Sequence, residues 1–223
     1  MSLLLTAYRS LLTPVNKVSA ILLAAGRSRR MGALKALLPF PGERTVLEAC
    51  VENLRGAGVE EIVLVVGHRA GELRERVAHL ALKVALNEAA ESEMGASIAR
   101  GVEQVSDETE AVLVALVDQP AVPSAAIRSL LDARRRTGAR LVVPVWQGRG
   151  GHPVLVDMAF REELLNLDAT GGLRALFEVH AGEVLRWPAE SPYVARDMDT
   201  WEDYCALHKE VFGYLPKVEG ARK

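Results

Sequence analysis

The chain has 223 residues, of which 49% are apolar and 25% are charged. This length is typical of one domain with a sizeable buried core, and the composition is unlike that of a disordered chain. The formal net charge of −2 argues against a general nucleic-acid-binding protein, which is usually strongly basic. The two cysteines, Cys50 and Cys205, match neither a disulfide framework nor a zinc-site spacing, so we interpret them as reduced thiols.

The first residues of the chain do not have the pattern of a targeting sequence. Their apolar run, in MSLLLTAYRSLLTPVNK, is interrupted by Tyr8 and Arg9 and has no basic residues before it. No window approaches the roughly 20 apolar residues that cross a membrane. We expect an N-terminal arm over 1–17, a domain over 18–212, a C-terminal tail over 213–223 and a cytoplasmic location. We expect neither nucleic acid nor a membrane among the partners.

Four apolar runs without polar alternation predict buried strands, at 19–24, 61–66, 111–117 and 140–143. Thr45 and Glu48 have the spacing of a capping box, which predicts a helix that ends near Gly56 and Gly58. Helical spacing predicts further helices at 70–80, 96–105, 124–137, 173–180 and 200–211. This alternation indicates an α/β fold, a single three-layer αβα domain with a mostly parallel sheet. Ligands of such sheets bind beyond the carboxyl ends of the strands.

The loop after the first predicted strand combines small residues with positive charge, in LAAGRSRRMGALKALLPF over 23–40. It matches neither the P-loop pattern nor G-x-G-x-x-G. Small residues at 24–26 let the backbone approach a ligand, and successive N–H groups can hold an anion. Arg30 can donate two hydrogen bonds to a phosphate, and Lys35 can act as a point charge. From spacing alone, a phosphate site and a solvated basic loop are equally well supported.

This loop resembles the signature L-A-A-G-x-S-x-R-M-G-x-x-K-x-L-L of the MobA-like NTP transferases of molybdenum-cofactor biosynthesis. With L-A-A-G at 23–26 and G-H-P-V-L at 151–155, the chain as a whole is most similar to the cytidylyltransferase (MocA-like) branch of this family. The resemblance implies a Rossmann-like nucleotidyltransferase fold of the nucleotide-diphospho-sugar transferase type. It implies catalytic roles for Arg30 and Lys35. The implied nucleotide-binding residues are Ala24, Ala25, Gly26, Ser28, Arg30, Lys35, Asn87 and Ser97.

Two aspartates are candidate metal ligands. Asp118 follows a predicted buried strand, where an unpaired carboxylate is costly, so a charge partner or a metal ion is expected; the alternative is a turn before Pro120. A hard oxygen ligand there suits Mg²⁺. In DMDTWED over 197–203, either Asp199 or Thr200 can cap the last helix. The resemblance implies that Asp199 is the second metal ligand, and both roles can hold at once. Trp201 stands where the family pattern has proline, and we expect this difference to affect only the start of the helix.

Two further loops match the family pattern less completely. The stretch NEAAESEMGASIAR over 87–100 corresponds to the family pattern G-M-S-x-S and keeps Ser97, which can also cap a helix. Glu93 and Gly95 stand where that pattern has glycine and its first serine. The stretch QGRGGHP over 147–153 is glycine-rich, and the resemblance implies that Arg149 and His152 bind the acceptor. From spacing alone, a histidine beside a proline is more often structural.

The resemblance implies Mg²⁺-dependent transfer of CMP from CTP to a molybdopterin-type phosphate, with release of pyrophosphate. CTP, this small-molecule acceptor and a molybdenum apoenzyme are the implied partners. Three alternatives remain open: another phosphorylated acceptor, a nicotinamide-dependent oxidoreductase on the same fold, and a non-catalytic carrier or chaperone for a molybdenum cofactor. Asp118, Asp199 and the lack of G-x-G-x-x-G argue against the oxidoreductase.

Overall fold

A computed structural model describes residues 17–26, 30–41, 44–67, 69–88, 94–167 and 171–216. The strands are β1 (Val18–Ala24), β2 (Pro39–Phe40), β3 (Arg44–Thr45), β4 (Ile62–Val66), β5 (Lys83–Leu86), β6 (Ala111–Leu116), β7 (Leu141–Trp146), β8 (Arg149–Gly150), β9 (Val154–Asp157) and β10 (Val184–Pro188). The helices are α1 (Val46–Gly56), α2 (Ala70–Val77), α3 (Met94–Val102), α4 (Ser124–Thr137), α5 (Arg161–Leu165), α6 (Gly172–Val179) and α7 (Trp201–Phe212). The predicted arm, apart from Lys17, and the predicted tail beyond 216 lie outside the described residues.

The main sheet has the strand order β10–β7–β9–β6–β1–β4–β5, and β8 pairs with β7. β9 runs antiparallel to both of its neighbours, whereas the other pairs along this path are parallel. β2 and β3 form a separate antiparallel pair. The carboxyl ends of β1 and β6 therefore meet at the same edge, near the middle of the sheet.

Side chains of β1 alternate between two buried cores, one on each face of the sheet. Ala20 and Leu22 belong to a cluster that includes residues of α1, α2 and α4. Ile21 and Leu23 belong to a cluster that includes residues of α3, α5 and α6. A strand covered on both faces needs apolar residues at every position, which explains the unbroken apolar run. Among the described residues, no helix is long and apolar enough to cross a bilayer.

The predicted αβα fold with a mostly parallel sheet is confirmed. The four predicted strands correspond to β1, β4, β6 and β7. The predicted capping box of α1 also forms: Glu48 N donates to Thr45 Oγ1 at 3.2 Å, and Thr45 N donates to Glu48 Oε2 at 2.6 Å. The helix predicted at 96–105 begins earlier and ends earlier, at Met94 and Val102. The sequence analysis missed β5, β9 and β10, which are only four or five residues long.

Glu61 connects several elements at the opposite, amino-terminal edge of the sheet. Its carboxylate accepts hydrogen bonds from Lys83 Nζ at 2.7 Å, Ser106 N at 3.0 Å and Thr109 Oγ1 at 3.2 Å. The buried Ser19 hydroxyl of β1 also donates to it. Burial raises the pKa of Glu61, but these hydrogen bonds outweigh burial and lower the pKa to about 2. Glu61 thus fixes β1, β5 and the segment before β6 relative to one another.

We expect Glu61→Gln to lower the free energy of unfolding at pH 7 by about 1–3 kcal/mol, because it removes the charged acceptor of a partly buried network. A carboxyl with a depressed pKa stabilises the folded state above its ordinary pKa of 4.5, and this contribution is lost as pH falls towards about 2. Denaturant titrations at several pH values would test this. The difference from wild type should shrink over that range, and Glu60→Gln at the exposed neighbouring position should show no such trend.

Candidate active site

A cavity of about 240 Å³ lies where β1 and β6 end. Its walls include Ala24 at the end of β1, Ala25 and Gly26 directly after it, Ser97 of α3 and Asp118 after β6. No atom of the described residues lies within 4 Å of the position that a Cβ atom on Gly26 would occupy, so the described part of the chain leaves the backbone open to a ligand there. These positions agree with the expectation that a ligand lies beyond the carboxyl ends of the strands.

A larger cavity, of about 650 Å³, lies between α4 and β10. Several of its charged residues are engaged with the protein itself: Arg135 pairs with Asp132, and Arg128 donates to the Gly56 carbonyl. None of the candidate residues from the sequence analysis lines it. We therefore place the candidate site at the smaller cavity.

Lys35 brings two carboxylates together at this cavity. It begins a short 3₁₀ helix, Lys35–Leu37, and its side chain is only 11% exposed. Its Nζ lies 2.6 Å from Asp199 Oδ1 and 3.5 Å from Asp118 Oδ2. Arg30 Nη2 donates to Asp199 Oδ2 at 2.9 Å, although the Arg30 side chain is 70% exposed. The four charged residues predicted to act on phosphates or metal thus form one cluster.

Backbone and capping contacts position Asp199. Thr200 caps α7, because its Oγ1 accepts a hydrogen bond from Asp203 N at 3.1 Å and Asp203 Oδ2 accepts one from Thr200 N at 2.8 Å. The side chain of Asp199 is therefore not needed as the cap and points to Lys35. Met198 N donates to the Asp118 carbonyl at 3.0 Å, which holds the two aspartate-bearing segments side by side.

The two aspartates have opposite electrostatic environments. Burial raises the pKa of Asp118, and the attraction of Lys35 only partly compensates. Its Oδ1 atom is buried and has no hydrogen-bond partner among the described residues. The hydrogen bond from Lys35 lowers the pKa of Asp199. The charge of the buried Asp118 carboxylate is thus only partly compensated, and this costs folding free energy.

The described residues contain no group of three His, Cys, Asp or Glu side chains spaced to hold a metal ion. Mg²⁺ does not require one, because it usually keeps several waters and binds through one or two carboxylates plus substrate phosphates. Asp118 has one oxygen without a partner in the described part of the chain, and a cationic group already lies between Asp118 and Asp199. This donor set fits a hard divalent cation.

The remaining predicted residues lie in three different environments. Asn87 Nδ2 donates to Ser97 Oγ at 2.8 Å, and Ser97 lies inside α3 rather than at its beginning, so it is not the cap of this helix. Arg149 is exposed on β8. His152 N donates to the Val194 carbonyl at 2.7 Å. Burial lowers the pKa of the His152 imidazole, and the charge of Asp197 partly opposes this. Ser28 and Glu93 lie outside the described residues.

The sequence analysis missed contacts that support the cluster. Gln119 Nε2 donates to Asp197 Oδ1 at 2.8 Å, and its own Oε1 atom is buried and has no partner among the described residues. The expectation for Trp201 was wrong: this residue does more than alter the start of α7, because its Nε1 donates to the Met31 carbonyl at 2.9 Å. Of these contacts, only that of Gln119 had a signal in the sequence, because Gln119 directly follows the candidate metal ligand Asp118.

The fold belongs to the nucleotidyltransferase type, as comparison with solved structures shows. A nucleotidyl transferase from Methanothermobacter thermautotroptrophicus superposes with a TM-score of 0.74 and 27% identity, covering 87% of this chain and 97% of that one. The manganese complex of Rv0371C from Mycobacterium tuberculosis H37Rv gives a TM-score of 0.73 and 26% identity, covering 86% and 98%. Residues 20–184 match the MobA-like NTP transferase domain, which is more than half of the chain. The chain therefore belongs to the MobA-like NTP transferase family.

Curated relatives of this chain have different names. Nicotine blue oxidoreductase from Paenarthrobacter nicotinovorans is 32% identical over 152 residues, 65% of this chain and 72% of that protein. Molybdenum cofactor cytidylyltransferase from Escherichia coli K12 is 27% identical over 192 residues, 85% and 95%. The bifunctional protein GlmU from Pelobacter propionicus is 33% identical over 131 residues, which are 58% of this chain but only 28% of that protein.

We expect opposite stability effects from neutralising the two aspartates in metal-free buffer. Asp118→Asn should raise the melting temperature at pH 7, because the raised pKa of Asp118 means that its ionised form disfavours folding. Asp199→Asn should lower it, because the depressed pKa of Asp199 means that its ionised form favours folding. The Asp118→Asn difference should diminish as the pH falls towards the ordinary value of 3.8, because the raised pKa of Asp118 lies above that value. The Asp199→Asn difference should diminish only as the pH falls below 3.8, and thermal melts from pH 7 to pH 3 would test both windows. A lower melting temperature for both variants at pH 7 would contradict this assignment.

Proposed function

We propose that this protein is a cytidylyltransferase that transfers CMP from CTP to a molybdopterin-type phosphate and releases pyrophosphate. The observation that carries the proposal is the Lys35 ammonium group between Asp118 and Asp199 at the edge of a cavity. This arrangement suits a polyphosphate with a divalent cation. The Escherichia coli relative named molybdenum cofactor cytidylyltransferase, which aligns with 85% of this chain, supports the choice of base and acceptor.

Asp118 and Asp199 are the residues that would hold Mg²⁺. When bound, such an ion neutralises charge on the triphosphate and orients it. A solved structure of a family neighbour is a manganese complex, which supports the choice of a divalent ion.

The chain's own residues would stabilise the charge that develops during transfer. Arg30 and Lys35 are at present paired with carboxylates, and both can exchange these partners for phosphate oxygens. An oxygen of the acceptor phosphate attacks the α-phosphorus of CTP, a new P–O bond forms, and the bond to the β-phosphate breaks with its electron pair leaving on pyrophosphate. Positioning and charge stabilisation supply most of the rate enhancement in such a reaction.

Arg149 and His152 would contribute differently to the acceptor. The lowered pKa of His152 favours the neutral imidazole at pH 7, so this residue would not provide positive charge to a phosphate. Its backbone bond to Val194 instead fixes the loop after β8. Arg149, exposed on β8, remains the candidate for charge pairing with an anionic acceptor.

A second candidate function is an oxidoreductase, since the relative named nicotine blue oxidoreductase is 32% identical to this chain. Hydride transfer is the chemistry of a bound cofactor, for which the protein supplies binding and orientation. Hydride transfer does not require two carboxylates around a lysine, so we rank the oxidoreductase second.

We expect CTP with Mg²⁺ to raise the melting temperature more than GTP, ATP, UTP or NADPH does. A ligand that binds only the folded state at about 100 times its Kd adds about 2.7 kcal/mol of stability. The shift should disappear in Asp118→Asn, even though this variant is not expected to be less stable on its own. A shift with NADPH alone would favour the oxidoreductase, and no shift with any nucleotide would count against the transferase.

We expect Lys35→Met to lower kcat/KM for CMP transfer by about 100- to 1000-fold, the usual effect of removing a group that stabilises transition-state charge. The same variant should bind Mn²⁺ more tightly than wild type in the absence of nucleotide, because the ammonium group no longer competes for the carboxylates. Electron paramagnetic resonance of free Mn²⁺ would measure this.

Lys83→Met is the matched control, because Lys83 pairs with Glu61 at the opposite edge of the sheet. It should change neither Mn²⁺ affinity nor turnover. Weaker Mn²⁺ binding by Lys35→Met than by wild type would refute the competition between the lysine and the metal ion.

A further inference from the structure

Two aromatic residues of α7 hold the segment that carries Arg30 and Lys35. Trp201 Nε1 donates to the Met31 carbonyl at 2.9 Å, near the beginning of this 30–39 segment. Tyr204 Oη donates to the Pro39 carbonyl at 2.6 Å, at its end. The two rings pack edge to face with their centroids 5.7 Å apart, which makes them one aromatic unit.

The same short stretch of chain also provides the anionic partner of the segment. Asp199 pairs with Arg30 and Lys35 and lies two residues before Trp201. The 30–39 segment is therefore attached to the beginning of α7 by ion pairs and by two neutral hydrogen bonds.

These two kinds of attachment differ when a polyphosphate binds. Under the proposed function, Arg30 and Lys35 turn from Asp199 towards phosphate oxygens, and their ion pairs with Asp199 then no longer hold the segment. The bonds from the indole and the phenol go to backbone carbonyls, which the phosphates do not need. They can persist through the exchange of ionic partners and keep both cations within reach of the ligand.

Trp201 is the partner that can be tested without damaging the core. Tyr204 is fully buried within a cluster that includes Met31, Leu38 and Phe40, so its removal would disturb packing as well as hydrogen bonding. Trp201 is only partly buried against this cluster. A phenylalanine at 201 keeps an aromatic ring against Tyr204 and removes the N–H donor.

We propose that Trp201 is a positioning residue that keeps Arg30 and Lys35 in place for a polyphosphate ligand; this inference rests on the proposed function. It acts through the Met31 carbonyl, directly after Arg30, and touches no reacting atom. The proposal adds a residue of α7 to the candidate site, although this residue lies 170 positions along the chain from Met31.

The test compares Trp201→Phe with Trp187→Phe. Trp187 Nε1 donates to Ser129 Oγ at 2.8 Å in the larger cavity between α4 and β10, so this variant loses the same kind of bond away from the candidate site. We expect Trp201→Phe to weaken binding of Mn²⁺–CTP by about 3- to 10-fold, the loss typical of one hydrogen bond. Trp187→Phe should leave this affinity unchanged. Hydrogen exchange of the 31–38 amides should accelerate in Trp201→Phe alone.

Inorganic tripolyphosphate with Mn²⁺ separates the two proposals. If wild type binds tripolyphosphate but not CTP, the proposed function fails, and weaker tripolyphosphate binding by Trp201→Phe would still support the positioning role. Equal affinities in wild type and Trp201→Phe would overturn that role, as would equal losses in both tryptophan variants. Lack of tripolyphosphate binding by wild type would overturn it as well.

A second variant covers the case in which Trp201→Phe does not fold. Benzothienylalanine at position 201, introduced at a recoded codon, preserves the two-ring shape and replaces the N–H group by sulfur. It should give the same loss of affinity as Trp201→Phe. Wild-type affinity with benzothienylalanine would show that the hydrogen bond has no positioning role.

Discussion

The interaction on which the rest of the site depends is the contact of one ammonium group with two carboxylates. Lys35 lies 2.6 Å from Asp199 and 3.5 Å from Asp118, and its side chain is largely buried. Without a cation between them, the two carboxylates would repel each other in a region of reduced dielectric. The cluster therefore requires positive charge, from the lysine or from a metal ion, and it joins the loop after β1 to the end of β6 and the beginning of α7.

The topology of the sheet makes this contact possible. β1 and β6 are parallel neighbours, so the segments that follow them leave from the same edge. The Met198–Asp118 backbone bond and the Gln119–Asp197 bond then bring the segment before α7 to this edge. Glu61 ties strands together at the other edge, where its four partners compensate its charge. At the amino-terminal edge the Glu61 carboxylate is compensated by these partners, whereas at the carboxyl edge Asp118 keeps an oxygen without a partner among the described residues.

The parts that the sequence predicted well are those with local signals. β1, β4 and β6 have unbroken apolar runs, and the α1 capping box is a pattern of four residues. β9 has only four residues, and β10 is as long as β4 but contains Arg186 and Pro188, so neither has the long unbroken apolar run that identified β4. The antiparallel direction of β9 depends on its neighbours rather than on its own residues. The charges of Arg30, Lys35 and Asp118 were visible, but their mutual distances were not. The bond from Trp201 to Met31 joins distant parts of the chain and had no local pattern at all.

Family membership alone does not fix the reaction, because relatives of this chain are named for an oxidoreductase and for a cytidylyltransferase. The energetics of Asp118 provide a separate argument. A buried acceptor without a partner costs about 1–3 kcal/mol, and the fold could avoid this cost with a neutral residue at the end of β6. A buried acceptor of this kind is expected where a bound ligand supplies the missing partner. A cation shared with phosphate oxygens would satisfy Asp118 and would also release Lys35 for the phosphates. The hydride-transfer step itself requires neither, so the charge balance of the cluster favours nucleotidyl transfer.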